Sequence, residues 1–152
     1  MASITDLKDV IACKTLTMVL LTVATAGLYP LLWLYRNSRV IDEVTGLKTT
    51  SDTFILWIAA CIGIGGLLLH SGDDASAGFG LLISLAANVL YIVWAFKAKA
   101  ALEEYALREF KVDLRMNAFY TLALSVFYIN FTINNLPDAL RRQQMLTGNH
   151  AG

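Results

Sequence analysis

Four long apolar stretches, none with an Asp, Glu, Lys or Arg in its interior, alternate with short charged segments along this chain. They run from about residue 14 to 35, 54 to 70, 77 to 96 and 116 to 136. Crossing the hydrocarbon of a bilayer takes roughly 20 apolar residues. Three of the four meet that length, and "FILWIAACIGIGGLLLH" is slightly short of it. Only 16% of the residues are charged, against roughly 25% in a soluble domain. The deficit falls inside the four stretches, which is the pattern of a membrane chain rather than of a weakly charged soluble one. The expected fold class is therefore all-α integral membrane: one unit over residues 1–152, with four hydrophobic helical segments.

The second and third stretches read as a central transmembrane hairpin. They are joined by "SGDDASAG", an acidic turn with no positive charge, and flanked by Lys48 on one side and Lys97 and Lys99 on the other. Positive charge stays on the cytoplasmic side, so the 71–76 turn is expected outside. Trp57 and Trp94 are expected at the opposite interface as an aromatic belt, with Trp33, Tyr35 and Arg36 as further anchors. Gly80, Ser84 and Asn88 recur every four residues, as do Ala59 and Gly63, and small residues let helices approach closely in lipid. Asn88, near mid-membrane, is expected to clamp one helix to another or to line a path. Residues 97–115 form a cytoplasmic connector, helical over about 97–112, with Leu102, Ala106 and Phe110 on one apolar stripe.

The outer stretches leave two arrangements open. If both span, eight Lys and Arg are cytoplasmic (Arg36, Arg39, Lys48, Lys97, Lys99, Arg108, Lys111, Arg115), and Lys8, Lys14, Arg141 and Arg142 are outside. If both dip in and return, as re-entrant or interfacial segments, all 12 are cytoplasmic. The positive-inside rule favours the second. Gly27 and Pro30 supply a natural break in the first stretch, whereas the fourth has neither Gly nor Pro. Both arrangements put the two termini on one side.

The fourth stretch also carries Asn117, Thr121, Ser125, Tyr128, Thr132 and Asn135 at spacings of 4, 4, 3, 4 and 3, one polar stripe on a helix. Such a stripe glues helices, faces headgroups or lines a path. Asn130 and Asn134 lie on the opposite side and need partners of their own. A run ending "ATA" resembles a signal-peptide cleavage site, but the segment before it is poorly basic and the apolar run continues past it, so cleavage is not expected.

"TAGLYPLLWLYRNSRVIDEVTG" resembles the T-x-G-x-Y-x-x-x-W-x-Y-[KR] signature of the domain-of-unknown-function 4234 family of small bacterial membrane proteins. Thr25, Gly27, Tyr29, Trp33, Tyr35 and Arg36 carry it, with Ala26 where the family more often has Leu or Phe. "YINFTINN" is similar to a later element of that family through Tyr128, Ile133 and Asn134. The resemblance covers most of the chain and implies a bacterial inner-membrane protein. It supplies no activity.

No catalytic constellation stands out. His70 and His150 are the only histidines, and Cys13 and Cys61 lack the spacing of a disulfide framework or metal site. The "GIGG" motif lies inside an apolar helix, not after a strand, and the basic residues are too scattered for nucleic acid. No cofactor or metal is expected. The expectation is a non-enzymatic structural or interaction unit with the lipid bilayer and a second copy or larger membrane protein as partners, membrane-shaping if the outer segments are shallow. The alternative is a subunit of a small channel or transporter.

Overall fold

The computed structural model describes residues 11, 14–111 and 113–148; Lys8, Cys13 and His150 lie outside these. Among the described residues there are five helices and no strand: α1 (Thr15–Ala24), α2 (Tyr29–Thr45), α3 (Asp52–Leu69), α4 (Asp74–Phe110) and α5 (Ala118–Gly148).

The hairpin of α3 and α4 is the frame. Local chemistry fixes its ends. The Ser51 hydroxyl accepts from the backbone N–H of Phe54, and the Asp73 carboxylate accepts from the N–H and hydroxyl of Ser76. Both satisfy donors that a helix start leaves orphaned. The tight turn between the helices passes through Gly72 at φ 78°, a conformation that glycine adopts without strain. These two helices are long and apolar enough to cross a membrane, and only 17% and 22% of their apolar windows are buried. The core helix of a soluble protein would be mostly covered.

The third apolar stretch and the connector form one helix, as expected. α4 has 37 residues, roughly 55 Å at 1.5 Å per residue, against a hydrocarbon thickness of about 30 Å. Its second half therefore extends beyond any layer that its first half spans. There Ala98, Ala101, Leu102, Tyr105 and Ala106 are buried, so the connector stripe packs on the protein. Arg108 donates to the carbonyl of Thr45 at 3.0 Å, capping the C-terminus of α2 with a cation. Glu103 accepts from the backbone of Met116 at 2.7 Å and pins the link into α5.

The core sits at one end of the hairpin, away from the 70–73 turn. Met18 of α1, Trp33, Leu34 and Ile41 of α2, Ile55 of α3, Trp94, Ala95, Ala98 and Leu102 of α4, and Val126, Ile129 and Ile133 of α5 form one cluster. Nearer the turn, α3 and α4 have only each other. In that part of α4, Gly80 and Ala87 alone are buried.

The helix-packing residues differ from those that the spacing selects. Gly63 faces open space and Ala59 is only half-buried; the close approach is made by Gly65. A Cβ on Gly65 would lie 2.6 Å from Ser84 Oγ, and one on Gly80 would lie 2.8 Å from the Gly65 carbonyl oxygen. Gly80 and Ser84 do face α3, but Asn88 does not share their interface. The tryptophans also separate. Trp57 is 64% exposed, while Trp94 is fully buried with its ring centroid 6.1 Å from that of Trp33, edge to face. Trp33 and Trp94 are core rather than belt, because α2 lies against α4 at the level where a bare hairpin would have met the headgroups. Tyr35 and Arg36 remain exposed.

Candidate functional site

Both outer segments are broken, and the breaks meet. The first lies between α1 and α2. Thr25 closes α1 by donating from its hydroxyl to the Leu21 carbonyl at 2.7 Å, and the same oxygen accepts from the N–H of Tyr29, the first residue of α2. Ala26 and Gly27 then take left-handed conformations, φ 51° and 90°. Pro30 stands in the first turn of α2, where a helix has no use for the missing N–H. Thr25 is a capping residue that the hydropathy pattern does not reveal.

The second break is at Ser125, within α5, where φ is 39° and ψ is −111°. The chain is helical on both sides and folds back on itself. The backbone N–H of Asn117 donates to the Tyr128 hydroxyl at 3.1 Å, and the Tyr120 and Tyr128 rings lie 5.8 Å apart. In a straight helix, residues 117 and 128 would be roughly 16 Å apart along the axis. The expectation of one continuous polar stripe is therefore corrected. Thr121 is buried and donates to Asn117 within the first limb. Thr132 is buried and Tyr128 half-buried in the second limb, and Asn117 and Asn135 are exposed. Periodicity assumes an unbroken helix, and this break uses neither Gly nor Pro.

Of the asparagines on the other side, Asn130 is buried and its amide donates to the Thr15 hydroxyl at 3.3 Å, tying α5 to α1. Asn134 and Asn135 donate to carbonyls of their own helix.

Gly27 and Pro30 from the first break and residues 123–127 from the second line one cavity of about 220 Å³, closed on its third side by Asn88 and Tyr91 of α4. Asn88 is exposed toward it and donates to the Ser84 carbonyl of its own helix at 3.0 Å. The helix-to-helix clamp expected of it is not formed, because α3 lies against the face that carries Gly80 and Ser84. Among the described residues the buried Tyr91 hydroxyl has no hydrogen-bond partner. The lining side chains thus bring one amide (Asn88), one phenol (Tyr91) and one hydroxyl (Ser125), and no carboxylate, imidazole or amine. Among the described residues no group of three His, Cys, Asp or Glu could hold a metal.

The depth of the cavity follows from the helix rise. Asn88 is 14 residues from the start of α4 and eight from the end of its apolar run at Phe96. The breaks therefore stand roughly 20 Å from the acidic turn and about 12 Å from the basic end.

No curated protein and no solved structure matches this chain. The family described as "Domain of unknown function (DUF4234)" matches residues 14–104, which takes in α1, α2, α3 and most of α4 but not α5. Tyr128, Ile133 and Asn134 thus lie outside the match. The signature residues inside it now have physical roles: Thr25 caps, Gly27 turns, Trp33 seats α2 on Trp94, and Tyr35 carries the guanidinium of Arg39 over its ring at 5.6 Å. With more than half of its length matched, the chain belongs to the DUF4234 family.

Proposed function

We propose that this chain is a small, non-enzymatic inner-membrane protein that acts as a one-sided wedge and interaction unit. One observation carries the reading: the breaks in both outer segments line one cavity with Asn88 and Tyr91. In a bilayer the hairpin crosses completely, with the acidic turn outside. The limbs of α1–α2 and of α5 enter about 12 Å from the cytoplasmic side, at 1.5 Å per residue, and leave again. Six helical limbs then occupy the cytoplasmic leaflet and two the outer one, an asymmetry of cross-section that favours curved membrane or seats a partner. The positive-inside rule supports this arrangement, since it keeps all 12 Lys and Arg in the cytoplasm. So does the exposure of Leu16, Leu20 and Val23 on α1 and Phe119 and Leu122 on α5, which water would not tolerate as a continuous surface. Irregular backbone at membrane depth is allowed where protein covers it, and the Asn88–Tyr91 face of α4 provides part of that cover.

Topology tests the reading. With Cys13 and Cys61 replaced, single cysteines at Ser3, Ala75 and Asn149 are labelled in intact cells by an impermeant maleimide. Labelling at Ala75 alone is expected, and labelling at all three would mean four full spans and no wedge. The same chain reconstituted in vesicles should shift them to smaller diameters than a hairpin-only control peptide does.

The Tyr91 hydroxyl, without a hydrogen-bond partner among the described residues, together with Asn88 and Ser125 in the cavity lining, favours one second reading, a solute path of a small channel or transporter. Flux from vesicles that Tyr91→Phe or Asn88→Leu alters would support it. Vesicles that stay tight across ions and small neutral solutes would remove it.

A further inference from the structure

A separate cavity of about 210 Å³ lies at the basic end of the hairpin, lined by Lys48, Thr49, Thr50, Ser51, Phe54 and Lys97. Two lysines line it from different elements, Lys48 on the loop before α3 and Lys97 on α4. Neither has an ion-pair partner among the described residues. Lys97 is held over the Phe54 ring, 5.8 Å from its centre. Of the neighbouring carboxylates, Asp52 binds Arg39 at 3.0 Å, and Asp42 accepts from the N–H and hydroxyl of Thr49, which itself lines the cavity. Among the described residues the Thr50 hydroxyl has no hydrogen-bond partner, and it is turned away from solvent, so a rotation about its Cα–Cβ bond is what brings this donor into the recess that Thr50 lines. The recess also sits at the N-terminal end of α3, where the helix field favours an anion.

We propose that this cavity binds a phosphate group, held by Lys48 and Lys97 and accepting a hydrogen bond from Thr50. The Asp42–Thr49 contacts hold the loop that carries Lys48 and Thr50. Its place, opposite the acidic turn, is the headgroup level of the membrane reading, which makes an anionic phospholipid one source of the phosphate and a soluble phosphate compound the other. The assignment of phosphate to the cavity does not depend on the wedge.

The test is native mass spectrometry of the full chain in detergent, offered phosphatidylglycerol, phosphatidylcholine or inorganic phosphate. One retained phosphatidylglycerol in preference to phosphatidylcholine is expected, with affinity about 25-fold weaker in the Lys48→Gln/Lys97→Gln double variant, from a factor of about five per lysine. A Lys111→Gln/Arg115→Gln control should bind as the parent does. Lys48→Arg/Lys97→Arg and Thr50→Ser should retain binding, and Thr50→Val should weaken it. Retention of inorganic phosphate with the same dependence on Lys48 and Lys97 also supports the site and names the soluble source. Equal binding by the two Gln double variants, or no retention of either phosphate-bearing probe over phosphatidylcholine, overturns it.

Discussion

Replacing Gly80 by Ala tests the hairpin register directly. The new Cβ would stand 2.7 Å from the backbone nitrogen of Leu69, 2.8 Å from the Gly65 carbonyl oxygen and 2.9 Å from Leu68 Cβ. Two of these are backbone atoms, which cannot turn aside as a side chain can. Ordinary contact begins near 3.4 Å, so relieving the 2.7 Å approach to Leu69 takes a separation of about 0.7 Å. Overpacking of this kind costs about 1–3 kcal/mol, partly offset by about 0.5–1 kcal/mol gained when Gly in a helix interior becomes Ala. The net expectation is a loss of roughly 0–2.5 kcal/mol, centred near 1. Gly63→Ala meets nothing within 4 Å, so it should keep the propensity gain and leave the protein slightly more stable. Gly65→Ala falls between them, since its nearest neighbour at 2.6 Å is the movable Ser84 hydroxyl. Adding Ser84→Ala should recover part of its loss. The assay is reversible unfolding in mixed micelles, followed by tryptophan fluorescence. Equal stability of Gly80→Ala and Gly63→Ala would refute the register.

Three further predictions rest on single observations. Trp94→Ala removes a fully buried ring from the core and should cost about 3–5 kcal/mol, whereas Trp57→Ala should change stability little; thermal unfolding of the two variants in one detergent separates them. Gly27→Ala places a side chain at φ 90° in open space, so strain alone should cost about 1–2 kcal/mol, while Gly66→Ala, also in open space but at an ordinary helical angle, should not destabilise. The Ser76 N–H and hydroxyl hold the Asp73 carboxyl below its usual range. Its cap therefore stabilises α4 in full above the unfolded value near 3.8 and is lost as the pH falls through the lowered native value; the protection of the Ser76 and Ala77 amides, read as exchange relative to the intrinsic rate at each pH, should fall on acidification in the parent and not in Asp73→Asn, which caps without titrating.

The two breaks show unequal visibility from residue order. Gly27 and Pro30 announce the first, because one tolerates positive φ and the other cannot sit inside a helix. Nothing in "LALSVFYI" announces the second. Ser125 is held at φ 39° by contacts made around it: Tyr128 takes the Asn117 N–H, and the two limbs pack their tyrosines together. Those partners are eight to eleven residues apart in sequence, beyond the reach of a helical repeat. The same limit misplaced Gly63 and left open whether Asn88 clamps a helix or lines a space; it lines the cavity. Spacing says which residues share a face, but only the neighbouring helix decides which face is used.

Residue order by itself determined the apolar hairpin, its acidic turn, the continuation of α4 into a charged helix and the first break. Each follows from hydropathy, charge or backbone freedom, which are properties of a segment alone. The tertiary structure decided that Gly65 rather than Gly63 meets Gly80, that Trp33 and Trp94 face inward, that α5 folds back at Ser125, and that Lys48 and Lys97 share one cavity with Thr50. These are properties of pairs of segments. They depend on how one helix is turned and slid against another, and a slide of two residues leaves every local signal unchanged while it replaces every contact.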